Sequence, residues 1–123
     1  MNGKILVIDD EPHLVEMMAN RLKANHYEVV TAVAGREGLE KAKKERPDLI
    51  LLDLMMPDLD GHHVLQTLKK MAETNRVPVM VLTVKKWGED IQKMIEEGAV
   101  GYIVKPFDPK ILMQKIAEVI KNG

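Results

Sequence analysis

Five short apolar runs, separated by segments with helical spacing, constrain the fold of this chain more than any other feature. They are rich in β-branched residues and span Lys4–Ile8, Tyr27–Ala32, Leu49–Leu52, Pro78–Leu82 and Gly101–Val104. Continuous apolar runs are typical of strands that are buried on both faces of a parallel sheet. The alternation therefore predicts an α/β fold with a parallel five-stranded sheet and helices on both of its faces.

The segments between these runs carry signals for helix starts and stops. Pro12 stands where a first helical turn would begin, and Arg46–Pro47 would end the second helix. Gly98 is a predicted C-terminal cap for the fourth helix, and Asp108–Pro109 opens the fifth. The order is strand then helix, five times over, and we expect residues 1–123 to form a single domain.

The charge balance excludes several classes of function. The 123 residues include 18 basic and 19 acidic side chains, so the net charge of −1 is not that of a nucleic-acid or anionic-membrane binder. No apolar run has the length of a membrane span, and the first residues lack the features of a signal peptide. Without cysteine there can be no disulfide or thiolate metal site. We expect a cytoplasmic protein that binds neither membranes nor, directly, nucleic acid.

Polar side chains follow four of the five predicted strands. Asp9 and Asp10 come after the first strand, Asp53 after the third, Thr83 after the fourth and Lys105 after the fifth. Taken singly, the aspartates could be helix caps, the threonine a strand residue and the lysine a solvated surface group. Ligands bind beyond the carboxyl ends of the strands in open parallel sheets. In a sheet ordered 2-1-3-4-5 these four ends would be neighbours, which favours a shared site.

The chemistry of these groups indicates phosphoryl transfer. Clustered carboxylates repel one another and need a cation, and a ligand set made of oxygen atoms suits Mg²⁺, which also accepts phosphate oxygens. A carboxylate can attack phosphorus to give an aspartyl phosphate. A metal ion, an ammonium and a hydroxyl are the groups that stabilise the charge in such a transfer. We interpret Asp53 as the acceptor.

Four motifs in order make a family resemblance specific over essentially the whole chain. They are VIDDE (Val7–Glu11), DLMMPDLDG (Asp53–Gly61), LT (Leu82–Thr83) and GYIVKPF (Gly101–Phe107). The chain resembles the receiver domains of bacterial response regulators, the chemotaxis Y-like family. The resemblance implies a doubly wound (βα)5 flavodoxin-like sandwich with strand order 2-1-3-4-5, the order that is known for this fold. It implies a phosphoacceptor signalling domain and not an enzyme in the ordinary sense.

The resemblance also implies roles for single residues in binding the metal and the phosphoryl group. Asp53 would be the phosphorylated residue. Asp10, Asp53 and the backbone carbonyl of Met55 would bind Mg²⁺ directly, and Asp9 would act partly through water. Lys105 would pair with Asp53 and then with the phosphoryl group.

Two further residues would belong to the switch that the resemblance implies. Thr83 would donate a hydrogen bond to a phosphoryl oxygen, and Tyr102 would turn inward as Thr83 moves. The Lys105–Pro106 peptide bond would be cis. The phosphoryl donor would be a sensor histidine kinase, a phosphotransfer protein or a small molecule such as acetyl phosphate. The surface of helix four, strand five and helix five would then control a downstream protein target, and dimerisation through this face is left open.

Three other functions compete with this interpretation. A receiver fold could act as a protein-binding module without phosphorylation, although every residue of the acceptor site is present. A flavodoxin-type electron carrier is disfavoured, because Asp9–Glu11 would repel a flavin phosphate and aromatic residues make up only 3% of the chain. An aspartyl-phosphate phosphatase would place its nucleophile after the first strand.

Several residues depart from the family pattern or carry weaker signals. Val84 stands where the family usually has Ala or Gly, and we expect it to crowd the phosphorylation site. His62 and His63 are adjacent on a helix and point apart, so we expect surface or capping roles and no metal pair. Trp87 is expected to be partly exposed, and Lys85–Lys86 to form a plain surface loop near the site.

Overall fold

The computed structural model describes residues 2–84 and 88–122, which form a five-stranded sheet flanked by five helices. The strands are β1 (Lys4–Ile8), β2 (Glu28–Ala32), β3 (Leu49–Asp53), β4 (Val79–Thr83) and β5 (Gly101–Val104). The helices are α1 (Pro12–Ala24), α2 (Gly35–Glu45), α3 (Gly61–Lys70), α4 (Glu89–Glu96) and α5 (Pro109–Asn122). The expectations for Lys85, Lys86 and Trp87 lie outside the described residues.

The strands are all parallel and follow the order β2-β1-β3-β4-β5. This confirms the predicted α/β fold and its strand order. The register places Asp53 opposite Leu82 and Thr83 opposite Val104. The carboxyl ends of β1, β3, β4 and β5 therefore lie side by side at one edge of the sheet.

The observed limits of three strands differ from the sequence expectation by one residue, at four ends in all. The second strand begins one residue late because the N–H of Tyr27 donates to the carbonyl of Leu22 at the end of α1. The fourth begins after Pro78, which has no N–H to donate to a ladder, and runs on to Thr83. The third strand includes Asp53. Asp53 and Thr83 are thus the last residues of β3 and β4 and do not lie in the loops that follow.

Two apolar cores lie on opposite faces of the sheet, and the inner strands contribute to both. Ile5 and Val7 face α1 and α5, whereas Leu6 and Ile8 face the side covered by α2, α3 and α4. This two-sided burial is why β1, β3 and β4 read as continuous apolar runs. The edge strands β2 and β5 are only partly buried, so the expectation of two-sided burial fails there.

The helix ends follow the predicted signals. Pro12 begins α1, and Asp108 Oδ1 accepts a hydrogen bond of 2.8 Å from the N–H of Lys110 in the first turn of α5. Arg46 adopts a left-handed φ of 50° after α2, and Gly98 a φ of 108° after α4. Among the described residues, no helix combines the length and the apolar character that crossing a membrane requires.

Candidate functional site

Acidic side chains from β1 and β3 meet at the carboxyl end of the sheet. Asp9 directly follows β1 and is fully buried, Asp53 ends β3 with 4% of its surface exposed, and Asp10 is half-buried. One carboxylate oxygen from each of the three lies within 4.8 Å of the others. The sheet holds them there, since the N–H of Asp9 still donates to the carbonyl of Ala32 on β2 at 3.1 Å.

Short local hydrogen bonds orient two of these carboxylates. Asp9 Oδ1 accepts from the N–H of Glu11 at 3.0 Å, and Asp53 Oδ1 accepts from the N–H of Met55 at 3.1 Å. Each aspartate therefore closes a turn with the backbone two residues further along the chain. This arrangement turns the Oδ2 atoms of both aspartates toward Lys105, whose Nζ lies 2.7 Å from the first and 3.5 Å from the second.

Lys105 provides an ammonium group to this cluster. Its Nζ lies 2.7 Å from Asp9 Oδ2, 3.5 Å from Asp53 Oδ2 and 3.5 Å from Glu11 Oε1. Its backbone N–H donates to the carbonyl of Thr83 at 2.7 Å, which continues the β4–β5 ladder. Lys105 was predicted to pair with Asp53. It does lie within 3.5 Å of Asp53, but its shortest contact is with Asp9. The Lys105–Pro106 bond is cis, as the family resemblance implies.

Burial and mutual repulsion shape the electrostatics of the site. Burial, aided by the charge of Asp9, raises the pKa of Asp53 to about 6 against the opposing effects of the Met55 N–H and Lys105. Burial by itself would lower the pKa of Lys105, but its hydrogen bond to Asp9 and the surrounding carboxylates raise it overall. One ammonium among several carboxylates leaves a net negative site that suits a cation.

The donors in this cluster fit a hard divalent ion. Asp9, Asp10 and Asp53 offer carboxylate oxygens, and Met55, two residues after Asp53, lines the groove beside them. Magnesium prefers oxygen ligands and is usually bound through one or two carboxylates, with water in its remaining positions. Burial and the neighbouring Asp9 raise the pKa of Asp53, so a bound cation would favour its ionised form. The predicted Mg²⁺ ligands therefore form a chemically suitable set.

A groove of about 690 Å³ opens beside the cluster. It is lined by Asp10, the residues 54–60, His62, Thr83 and Val84. Thr83 is almost fully buried at the end of β4, whereas Val84 is 66% exposed at the rim. The structure thus brings Thr83 to the same groove as Asp10 and Met55.

Tyr102 lies outside this groove, on the edge strand β5. It is half-buried, sits opposite Val81 on β4 and packs against the core on the α2–α4 side of the sheet. Lys115 Nζ lies 5.8 Å from the centre of its ring and donates to its carbonyl at 3.2 Å. In the β4–β5 ladder, the pair Val81–Tyr102 comes two residues before the pair Thr83–Val104, at which β4 ends.

A partly buried polar contact near the groove was not predicted from the sequence. His62 Nδ1 lies 2.5 Å from Glu97 Oε1, and Gln66 Nε2 donates to the other carboxylate oxygen of Glu97. The side chains of His62 and Glu97 are only 13% and 9% exposed. The expected surface or capping role is therefore wrong for His62 but agrees with the exposed His63. The four-residue spacing of His62 and Gln66 places both on one face of α3, and this spacing could have indicated that they share a partner.

Comparison with known proteins identifies relatives of this fold and site. The family model described as "Response regulator receiver domain" matches residues 5–117. The alkaline phosphatase synthesis transcriptional regulatory protein PhoP of Bacillus subtilis (strain 168) is 39% identical over 123 residues, which cover 100% of this chain and 50% of PhoP. The chain thus spans half the length of PhoP.

Two solved structures are close in fold as well as similar in sequence. The chemotaxis response regulator CheY4 of Vibrio cholerae superposes with a TM-score of 0.89 and 34% identity over 94% of this chain and 97% of CheY4. The receiver domain of the sensor histidine kinase PA1611 from Pseudomonas aeruginosa PAO1 has a TM-score of 0.88 and 26% identity over 97% and 98% of the two chains. That second structure has a magnesium ion coordinated in its active-site cleft.

Proposed function

This chain belongs to the response regulator receiver domain family, and from that premise we propose that it accepts a phosphoryl group on Asp53 in a Mg²⁺-dependent reaction. Receiver domains are signalling domains of two-component systems and not classical enzymes. The observation that carries the proposal is the meeting of three carboxylates with the ammonium of Lys105 at the carboxyl end of the sheet.

The chain's own residues supply the nucleophile and its orientation. The Asp53 carboxylate forms an oxygen–phosphorus bond while the bond between phosphorus and the donor's nitrogen or oxygen breaks. Its hydrogen bond from Met55 N–H fixes the carboxylate, and its pKa of about 6 leaves it mostly ionised above neutral pH. Asp9, Asp10, Asp53 and the Met55 carbonyl would hold Mg²⁺, which would neutralise charge on the carboxylates and the phosphoryl oxygens.

Lys105 and Thr83 are proposed to bind the transferred group. Lys105 Nζ stands within 3.5 Å of Asp53 and is already held by Asp9, so it can meet a new anion without a large rearrangement. Thr83 would donate its hydroxyl to a phosphoryl oxygen, which draws the end of β4 toward Asp53. Tyr102, two residues before Val104 on the neighbouring strand, would respond by turning inward.

The proposed output is a change in the surface that α4, β5 and α5 form. A sensor histidine kinase or a phosphotransfer protein would supply the phosphoryl group, and a downstream protein target would read the changed surface. We further propose that residues 1–123 act as a single receiver domain in the cytoplasm. A phosphorylation-dependent homodimer through the same surface belongs to this proposal.

The test is the intact mass of the protein after incubation with acetyl phosphate and Mg²⁺. We expect one phosphoryl adduct that disappears in Asp53→Asn and when the metal is chelated. A folded wild-type protein without an adduct would favour the alternative of a receiver fold that binds partners independently of phosphorylation. An adduct that persists in Asp53→Asn would mean that the acceptor is a different residue.

A further inference from the structure

The loop between β3 and α3, residues 54–60, provides a cap for a distant helix; we call it the acceptor loop. Helix α2 begins after Ala34, whose side chain cannot cap the helix. Instead, Asp58 Oδ1 accepts from the N–H of Gly35 at 2.8 Å and Asp58 Oδ2 from the N–H of Arg36 at 3.1 Å. One carboxylate from the acceptor loop therefore binds the first two N–H groups of a helix that lies more than twenty residues earlier.

The acceptor loop also packs directly against the start of α2. A Cβ atom built on Gly35 would lie 2.9 Å from Leu59 Cβ and 3.1 Å from Val64 Cγ2, both closer than ordinary contacts. The chain therefore needs glycine at position 35 so that the loop can approach the helix. The two hydrogen bonds from Asp58 and this close packing both hold the loop against the first turn of α2.

The base of the loop is closed by other contacts that do not involve α2. The N–H of Gly61 donates to the carbonyl of Leu54 at 3.0 Å, and a Cβ on Gly61 would collide with the backbone of Leu54. Met55 N–H is held by Asp53. The outer part of the loop packs against the core through Met56 and Leu59, and Asp58 adds the hydrogen bonds that fasten it to α2. The N–H groups of Arg36 and Gly35 also lower the pKa of Asp58, which keeps the carboxylate charged.

We propose that Asp58 is a positioning residue for the metal site, because it ties the acceptor loop, and with it Met55, against the carboxylate cluster. The residues of this loop form one wall of the groove that also contains Asp10 and Thr83. A loop released from α2 would sample other positions, and the Met55 carbonyl would be presented to the ion for only part of the time. This inference rests on the proposed function, since it assigns the loop a role in Mg²⁺ binding.

Two variants separate this role from simple helix capping. Asp58→Ala removes the cap and the tie together. The double variant Ala34→Ser, Asp58→Ala supplies a local cap, since Ala34 already has the extended backbone (φ −148°, ψ 156°) that an N-cap residue needs. It restores the start of α2 without restoring the tie to the loop. Asp58→Asn keeps one acceptor oxygen and is expected to be intermediate.

Glu37 offers a matched control at the same end of the same helix. Its Oε1 accepts from the N–H of Val33 at 2.8 Å and its Oε2 lies 3.3 Å from Lys41 Nζ, and both partners lie outside the acceptor loop. Glu37→Ala should therefore weaken the start of α2 without changing Mg²⁺ binding.

The measurements are the Mg²⁺ dissociation constant from calorimetric titration of the unphosphorylated protein and the midpoint of urea unfolding with the metal chelated. We expect Mg²⁺ to bind about tenfold more weakly to both Asp58→Ala and the double variant, as is typical when a group that orients a metal ligand is lost. The unfolding midpoint should fall in Asp58→Ala and recover in the double variant.

Wild-type Mg²⁺ affinity in the double variant would show that Asp58 is only a helix cap, and would overturn the inference. Weaker Mg²⁺ binding in Glu37→Ala would do the same, because it would trace the effect to α2 and not to the loop. If the wild-type protein itself neither binds Mg²⁺ nor takes up a phosphoryl group, the proposed function fails instead, so the two failures are distinguishable.

Discussion

Lys105 Nζ lies 2.7 Å from Asp9 Oδ2, nearer than the 3.5 Å that separates it from Asp53 Oδ2. The lysine at the end of β5 is thus anchored by a fully buried carboxylate that follows β1. In the proposed mechanism, Asp9 holds the ammonium close to Asp53 without neutralising the nucleophile completely. The same contact links the ends of two strands that are separated by β3 and β4 in the sheet.

Replacing Lys105 with methionine should destabilise the protein in the absence of metal. The substitution leaves Asp9 buried without its ammonium partner, and removal of one member of a buried pair costs about 3 kcal/mol or more. Urea unfolding with the metal chelated measures the loss, and added Mg²⁺ should recover part of it. A decrease of less than about 1 kcal/mol would show that the contact with Asp9 is not a stabilising pair.

The raised pKa of Asp53 predicts a stability penalty that depends on pH. With a pKa of about 6 when folded and about 3.9 when unfolded, Asp53 binds its proton more tightly in the native state. The unfolding free energy should therefore fall as the pH rises from about 4 to 6, and stay level above that. Asp53→Asn, which cannot ionise, should be more stable than wild type by roughly 3 kcal/mol at pH 7.5 and by little at pH 4.

The measurement for Asp53 is urea unfolding of wild type and Asp53→Asn across this pH range with the metal chelated. Asp48→Asn is a suitable control, because Asp48 lies at the amino end of β3, away from the carboxyl end where the site is. A gain in Asp53→Asn that is the same at every pH would contradict the assignment of the penalty to ionisation of Asp53.

Val84→Ala should change the rate of phosphoryl transfer. Val84 is 66% exposed and lies on the rim of the groove next to Thr83, and we expect its side chain to narrow the approach to Asp53. Removing two methyl groups should speed phosphorylation by acetyl phosphate, hydrolysis of the aspartyl phosphate, or both. Quenched time courses followed by intact mass give both rates. Unchanged rates in both directions would show that Val84 does not crowd the site.

Glu97→Ala should loosen the contact between α3 and the end of α4. Glu97 accepts from both His62 and Gln66, and its removal takes away a largely buried acceptor from both. The expected loss is about 1–3 kcal/mol of unfolding free energy, measured by denaturant titration. The matched control is His63→Ala, an exposed neighbour on the same helix, which should change stability by less than about 0.5 kcal/mol. Equal effects of the two substitutions would contradict this assignment.

The positions of the strands, and of the polar residues that meet at their carboxyl ends, could be predicted from the sequence for a local reason. A strand buried on both faces needs an uninterrupted apolar run, so the end of each run shows where polar chemistry can begin. Asp9, Asp53, Thr83 and Lys105 stand at such ends, and the parallel order then brings them to one edge of the sheet. The second and fourth strands begin one residue later than predicted. Tyr27 donates its N–H to Leu22 instead of to the sheet, and Pro78 has no N–H to donate.

The choice of partner among similar groups was decided only by the tertiary structure. Lys105 could reach several carboxylates, and the packing of the strand ends put Asp9 0.8 Å nearer than Asp53, the difference between 3.5 and 2.7 Å. His62 turned inward because Glu97, at the end of another helix, lies within its reach. Asp58 caps α2 from a distant loop because Gly35, which has no side chain, leaves room for the side chains of Asp58 and Leu59. Such contacts depend on distances between segments far apart in the chain, and periodicity within one segment carries no information about them.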